Sequence, residues 1–221
     1  MSVRRSKLLM IELNEFCPSY LKKLARKYDL CYLNRFLDFR HTNTISYDEK
    51  EFEGLDPWVQ WVSIHTGLYS YEHGIKRLGE RTKKDTKQLW NYLSEKNNLS
   101  WGVIGPLNSS RGSSKGCVTF CPDPWNYLEK PYPDELNYLL ELPIYVSKNY
   151  LALNLFTLIK KFFKLFLFFL KKDNFFILKV LVSEIPKILL RPGINIHTFT
   201  TLFDYVLVLY YSKIKSIKNI D

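Results

Sequence analysis

The sequence predicts an α/β fold, a mostly parallel sheet with helices on both faces, continued by a C-terminal helical extension. Three observations predict it. The apolar run Lys7–Leu13 leads through a sharp polar turn into a helical pattern, the opening unit of an α/β domain. A second strand-like run, Trp101–Gly105, follows further helical stretches. From Asp134 onward apolar residues recur at helical spacing almost throughout. With 221 residues there is ample chain to bury a core, and 46% hydrophobic against 24% charged residues excludes global disorder.

In chain order, Lys7–Leu13 reads as a buried strand, and Pro18 opens a helix over Ser19–Tyr28 with Tyr20, Leu21 and Leu24 on one face. A second extended segment falls around Arg40–Ile45. Asp56-Pro57 is a helix start, a capping carboxylate followed by proline at the first helical position, and Gly67 ends that helix. Lys84–Lys96 reads as the next helix, with Leu89, Tyr92 and Leu93 inward, ahead of the strand Trp101–Gly105. After Pro106 the stretch NSSRGSSKG reads as a flexible Ser/Gly loop and PDPWNYLEKPYPDE as a proline-punctuated connector. Helices are expected over Glu135–Ser147, Tyr150–Lys172, Phe175–Leu190 and His197–Lys215, with Pro192-Gly193 as a break. The organisation is thus a core over 1–107, a loop and connector over 108–133, and a helical extension or cap over 134–221. There is no internal repeat.

The formal charge of +10 is uneven. From Leu151 onward 11 Lys and Arg face 4 Asp and Glu, a net of +7, while the first 150 residues carry +3. Such basicity selects anionic partners without specifying chemistry. On the stretch Leu155–Lys172, at about 100° per residue, Lys160, Lys161, Lys164, Lys171 and Lys172 share an arc of about 120° opposite Leu, Ile and Phe. The expectation is a cap helix with its apolar face packed on the domain and its lysines in water. A membrane-surface helix is the second reading and a partner surface the third. Nucleic acid is not expected, because the aromatics point away from the lysines instead of forming a stacking platform.

Four cysteines (Cys17, Cys31, Cys117, Cys121) are too few for a disulfide scaffold, and the lone C-x3-C lacks a second pair at zinc spacing, so free or buried thiols are expected. No signal-peptide core and no stretch of about 20 apolar residues is present. The expected location is cytoplasmic, with a peripheral place at the membrane under the second reading of the basic helix.

Two segments carry candidate chemistry. Glu12, Asn14 and Glu15 put three oxygen-bearing side chains at the turn after the first strand, where open α/β sheets bind ligands; they suit a divalent cation or, equally, a helix-capping cluster. The segment Asp56–Gly79 offers a helix N-terminus, two tight turns, and Lys76 and Arg77 as anion partners, a seat for a phosphate or sulfate. Taken singly, His65 and His73 read as structural histidines.

Together these segments resemble the N-terminal half of the alkaline phosphatase superfamily, closest to the type I phosphodiesterase/nucleotide pyrophosphatase branch. LLMIELNEFCPSYL is similar to that family's first strand and turn, and Ser63-Ile64-His65-Thr66-Gly67-Leu68-Tyr69 with Glu72-His73-Gly74-Ile75 to its S-I-x-T-G-L-Y-P-x-x-H-G-I element. The resemblance covers residues 7 to about 107. It implies two divalent cations, zinc or manganese, at the carboxyl edge of the sheet, and a Thr or Ser nucleophile at a helix N-terminus attacking a phosphate or sulfate ester. On it, Asn14, Glu12 and Glu15 would meet metal, Asp56 and Trp58 flank the nucleophile position, and Lys76 and Arg77 receive the anion.

The chain departs from the pattern at several points. The family's metal-binding Asp falls on Asn14, its nucleophile on Pro57 and its phosphate-binding Asn on Leu78. The D-H-G-type element of the second half is absent, and His197 is the only histidine after His73. The expectation is therefore a hydrolase relative that is partial or catalytically impaired. The alternative is a non-catalytic protein that binds anions or a membrane surface through its basic amphipathic helices.

Overall fold

The computed structural model describes residues 8–14, 16–42, 56–171, 174–189 and 205–210. The fold is mixed α/β. Helix α1 (Pro18–Lys27) starts where expected, with proline at its first position and Arg26 and Lys27 against the negative end of its dipole. Leu30 N–H bonds back to Ala25 O and turns the chain into α2 (Cys31–Leu37), an element without a sequence-based expectation. This pair is thinly packed. Ala25 is its one buried residue, and Phe36 meets Phe16 edge-on and Phe39 at a tilt.

The first expected strand does not form. Leu8 to Leu13 carry no regular structure, and Leu8 and Leu9 are 71% and 80% exposed. An apolar run becomes a strand only when a neighbour completes its ladder; the one described ladder lies elsewhere. The extended segment expected at Arg40–Ile45 shows no strand over 40–42, and its remainder lies outside the described residues.

Helix α3 (Pro57–Thr66) follows Asp56 as its extended cap residue and ends on Gly67 in the left-handed conformation. A short helix α4 (Ser70–His73) and a second left-handed glycine, Gly74, follow. Helix α5 (Leu89–Asn97) begins five residues later than the periodicity suggests, with Gln88, extended and fully buried, at its N-cap position. Gln88 N–H donates to Asn91 Oδ1, and its amide donates to Thr82 Oγ1.

The sheet consists, among the described residues, of two parallel strands, β1 (Trp101–Ile104) and β2 (Cys117–Cys121). The broad sheet expected from the sequence is not seen there. Strand β2 falls inside the segment read as loop and connector, so the sheet continues past residue 107. Its Val-Thr-Phe centre carries ordinary strand propensity, masked by the Ser/Gly and Pro texture on either side. Trp90 of α5, Trp101 of β1 and Phe120 of β2 form one aromatic cluster, with Val103 and Cys117 packed on it. Burial pushes the Cys117 thiol up to about 11 despite the nearby Arg111. All four cysteines are free thiols, as expected.

A 3-10 turn (Asp134–Leu136) leads into α6 (Asn137–Asn149), then α7 (Leu155–Leu170), α8 (Phe175–Leu189) and a helical stretch at 205–210. The expected start of α7 at Tyr150 moves to Leu155 because Asn154 caps it, its side chain accepting from Thr157 N–H at 3.0 Å. The break at Pro192-Gly193 and most of the helix expected at His197–Lys215 lie outside the described residues. Leu136, Leu139, Leu140, Leu165, Phe168, Phe169, Ile177, Val206 and Tyr210 make one core, which reaches the sheet through Cys121.

Helix α7 is rotated from its expected orientation: Leu165, Phe168 and Phe169 pack inward as an apolar face should, but part of the lysine arc comes with them. Lys161 and Lys164 turn inward to Glu141 of α6, with Nζ–Oε2 distances of 3.4 and 2.9 Å. Lys171 lies over the rings of Tyr138 and Phe168. The side chains left outside are Leu155, Phe156, Ile159, Phe162, Phe163, Phe166, Leu167 and Leu170. Helix α6 supplies the reason, since Glu141 faces α7 and draws two lysines to the packed side. No helix among the described residues is long and apolar enough to cross a membrane.

Candidate functional site

The residues of α3, the turns after it and the loop after β1 form one buried polar layer. Its motif glycines and histidines have defined mechanical roles. Gly67 and Gly74 both sit near φ +71°, a conformation that L side chains rarely adopt. Thr66 Oγ1 donates to Val62 O at 2.7 Å and accepts from Leu68 N–H, closing the end of α3. Tyr69 N–H donates to Glu72 Oε2 at 2.7 Å. His73 Nδ1 accepts from Ile75 N–H, which leaves the proton on Nε2, 3.1 Å from Ser63 Oγ. The pattern S-I-H-T-G…E-H-G-I is therefore a helix–turn–turn unit that locks itself.

Asn108 is the hub of the layer. It is fully buried in a left-handed conformation (φ 49°). Its amide donates to Arg77 O at 2.7 Å and to Trp58 O at 3.4 Å, while its Oδ1 accepts from Gly79 N–H at 2.9 Å. Trp58 Nε1–H also donates to Lys76 O. These bonds set the first turn of α3 beside the Lys76–Arg77 turn and bring Trp58 to that turn, with Asp56 two residues before Trp58. The Lys76 and Arg77 side chains are exposed, and both of their backbone N–H groups are taken by Glu80 Oε2 at 2.7 and 3.0 Å. An anion arriving there meets the side chains, not the amides. The Asp56 carboxylate makes no capping bond, and Pro57 offers neither hydroxyl nor N–H.

Glu12 goes elsewhere. Its Oε1 lies 2.7 Å from His65 Nε2, and His65 Nδ1 lies 2.9 Å from Ser109 Oγ. His65 also packs on Trp90 with ring centroids 5.1 Å apart. The succession carboxylate, imidazole, hydroxyl is that of a nucleophilic relay. Ser109, however, is fully buried and donates its hydroxyl to Leu107 O at 3.0 Å, which makes this chain of bonds a structural tie. It pins the N-terminal segment to the end of α3. His65 lies nine residues from Asp56 along α3, about 13 Å at 1.5 Å per residue. The Glu12 carboxylate and the basic turn thus sit at opposite ends of that helix.

Asn14 is exposed at a turn, and Glu15 lies outside the described residues. No group of three His, Cys, Asp or Glu side chains that could hold a metal is present among the described residues, and both ring nitrogens of His65 are already engaged. Glu12 is tied to His65 and Asn14 stands exposed, so the described donors do not form the two-cation centre that the resemblance implies.

Asn108, Ser109 and Ser110 are the residues that sequence reasoning missed. They open the stretch read as a flexible loop, yet all three are buried. Nothing in an N-S-S run distinguishes a solvated turn from a packed one; the distinction comes from Trp58, Arg77 and His65, which are distant in sequence. Ser110 Oγ and the neighbouring Asn126 Oδ1 are buried without a hydrogen-bond partner, and Arg111 Nε likewise. In comparisons with known proteins, the chain matches no family model, and no curated protein or solved structure shows significant similarity to it.

Proposed function

We propose that this chain is a relative of metal-dependent phosphodiesterases and sulfatases that receives a phosphate or sulfate ester at the start of α3 and does not cleave it alone. The observation that carries this reading is the pairing of the first turn of α3 with the exposed Lys76 and Arg77, held by Trp58 and Asn108. Two cations beside a helix N-terminus suit a tetrahedral oxyanion. Proline at the position of the expected nucleophile removes the hydroxyl that covalent catalysis needs.

Calorimetric titration of the full chain with inorganic phosphate, sulfate and an aryl phosphodiester tests the reading, alongside a hydrolysis assay with added zinc or manganese. Saturable binding without turnover is expected, weakened about tenfold or more in Lys76→Ala/Arg77→Ala. Unchanged binding in that variant would overturn the location. Turnover abolished by a chelator would overturn the loss of catalysis.

A further inference from the structure

We propose that the outward face of α7 docks on the surface of an anionic lipid bilayer, with the helix lying in the plane of the interface. This inference rests on the helix itself and not on the ester-binding reading.

Around α7 at about 100° per residue, Phe162, Leu155, Phe166, Ile159, Leu170, Phe163, Phe156 and Leu167 follow one another over an arc of about 140°. No charge interrupts that arc, and every member is exposed, Phe156 by 79%. Their combined exposed surface is on the order of 1,000 Å², against about 300–600 Å² for the largest patch on a typical soluble monomer. Leu151 and Leu153 just before the helix are exposed as well, and so are Phe175 and Val182 on α8.

The charges at the rim select the occupant. Lys160 and Lys171 border the arc and are exposed, and Lys179 is exposed beside Phe175 on α8. Between Glu141 and Glu184 the chain has seven lysines and one acidic residue, Asp173. Among the described residues no acid on this face of a second copy is there to pair with these lysines, whereas anionic headgroups would pair with them. Lysine stems at such a border reach up to the headgroups while the Phe and Leu side chains enter the acyl boundary. At about 24 Å, the 16-residue helix is short for a span and suited to lying flat.

Co-sedimentation of the full chain with vesicles containing equal parts zwitterionic and anionic phospholipid tests the proposal, with purely zwitterionic vesicles for comparison. Binding to the anionic vesicles is expected. Phe156→Ser/Phe163→Ser should weaken it about tenfold or more, and Lys160→Glu/Lys171→Glu should remove the preference for anionic lipid. Both Phe side chains are exposed, so the helical circular dichroism of the first variant should match that of the parent. Three outcomes would overturn the proposal: no binding by the parent chain, binding indifferent to the Phe substitutions, or a dimer in sedimentation velocity that those substitutions dissociate.

Discussion

Between Asp56 and Asn126 the buried side chains are largely amides, hydroxyls and imidazoles: His65, Thr82, Gln88, Asn91, Asn108, Ser109 and Asn126 among them. Between Leu136 and Tyr210 they are Leu, Phe, Ile, Val and Tyr, with Asn174 the one buried polar residue described. The first region is held by directional bonds that each need one partner in one place. The second is held by volume and apolar area, which neighbouring side chains share. Hydrogen-bonded interiors therefore tolerate little chemical change, while apolar ones tolerate exchange at constant volume.

Gly116 gives the sharpest test. It lies at φ +68°, and a Cβ there would stand 2.3 Å from the Leu99 carbonyl oxygen, which belongs to the backbone and cannot swing aside. Gly116→Ala should cost roughly 4 kcal/mol or more in urea unfolding, as strain and overlap add. Next comes the comparison itself. Asn108→Ala leaves the carbonyls of Arg77 and Trp58 and the Gly79 N–H without their partner, an expected loss of about 3 kcal/mol. Leu139→Ala in the apolar core should cost a similar amount, about 2–5 kcal/mol. The near-isosteric changes separate the regions: Leu139→Met should cost less than about 1.5 kcal/mol, while Asn108→Asp should remain close to the alanine value. A mild Asn108→Asp would erase the distinction.

The smallest effect concerns Glu141. Burial would raise its pKa, but the hydrogen bond from Lys164 and the charges of Lys161 and Lys164 outweigh that and hold the carboxyl below its ordinary range. A carboxyl depressed by folding adds stability above its unfolded pKa and loses it as pH falls through the folded value. Glu141→Gln should therefore flatten the acid side of the stability profile just below the ordinary glutamate range, with little change at neutral pH beyond that of a part-exposed ion pair.

The start of α3 could be read from Pro57 and its end from Gly67, because proline's fixed φ and glycine's left-handed freedom act locally, although Asp56 makes no capping bond. The same holds for β1, and for α8 to within one residue. Strand β2 could not be read, since CVTFC pairs with a segment on the far side of a long loop. Of the candidate site, the adjacency of Lys76 and Arg77 to α3 was legible only as a possibility of spacing. The bonds that make it real pass through Asn108, fifty residues from Trp58. Glu12 was singled out for its carboxylate and His65 read as a structural histidine, but that the two are partners, 53 residues apart, was not legible.

The sequence by itself determined the start of α1, both ends of α3, the span of α8 to within one residue and where charge accumulates, because prolines, left-handed glycines and lysine runs act over a few residues. Only the tertiary structure decided which faces are buried. Leu8–Leu13 and the Phe/Leu side of α7 are apolar enough for a core and lie outside it, while Asn108 and Ser109 are polar enough for solvent and lie within. Burial depends on what a distant part of the chain brings alongside. Here Glu141 drew Lys161 and Lys164 of α7 toward the packed side, and Trp58, Arg77 and His65 gave Asn108 and Ser109 partners that replace water.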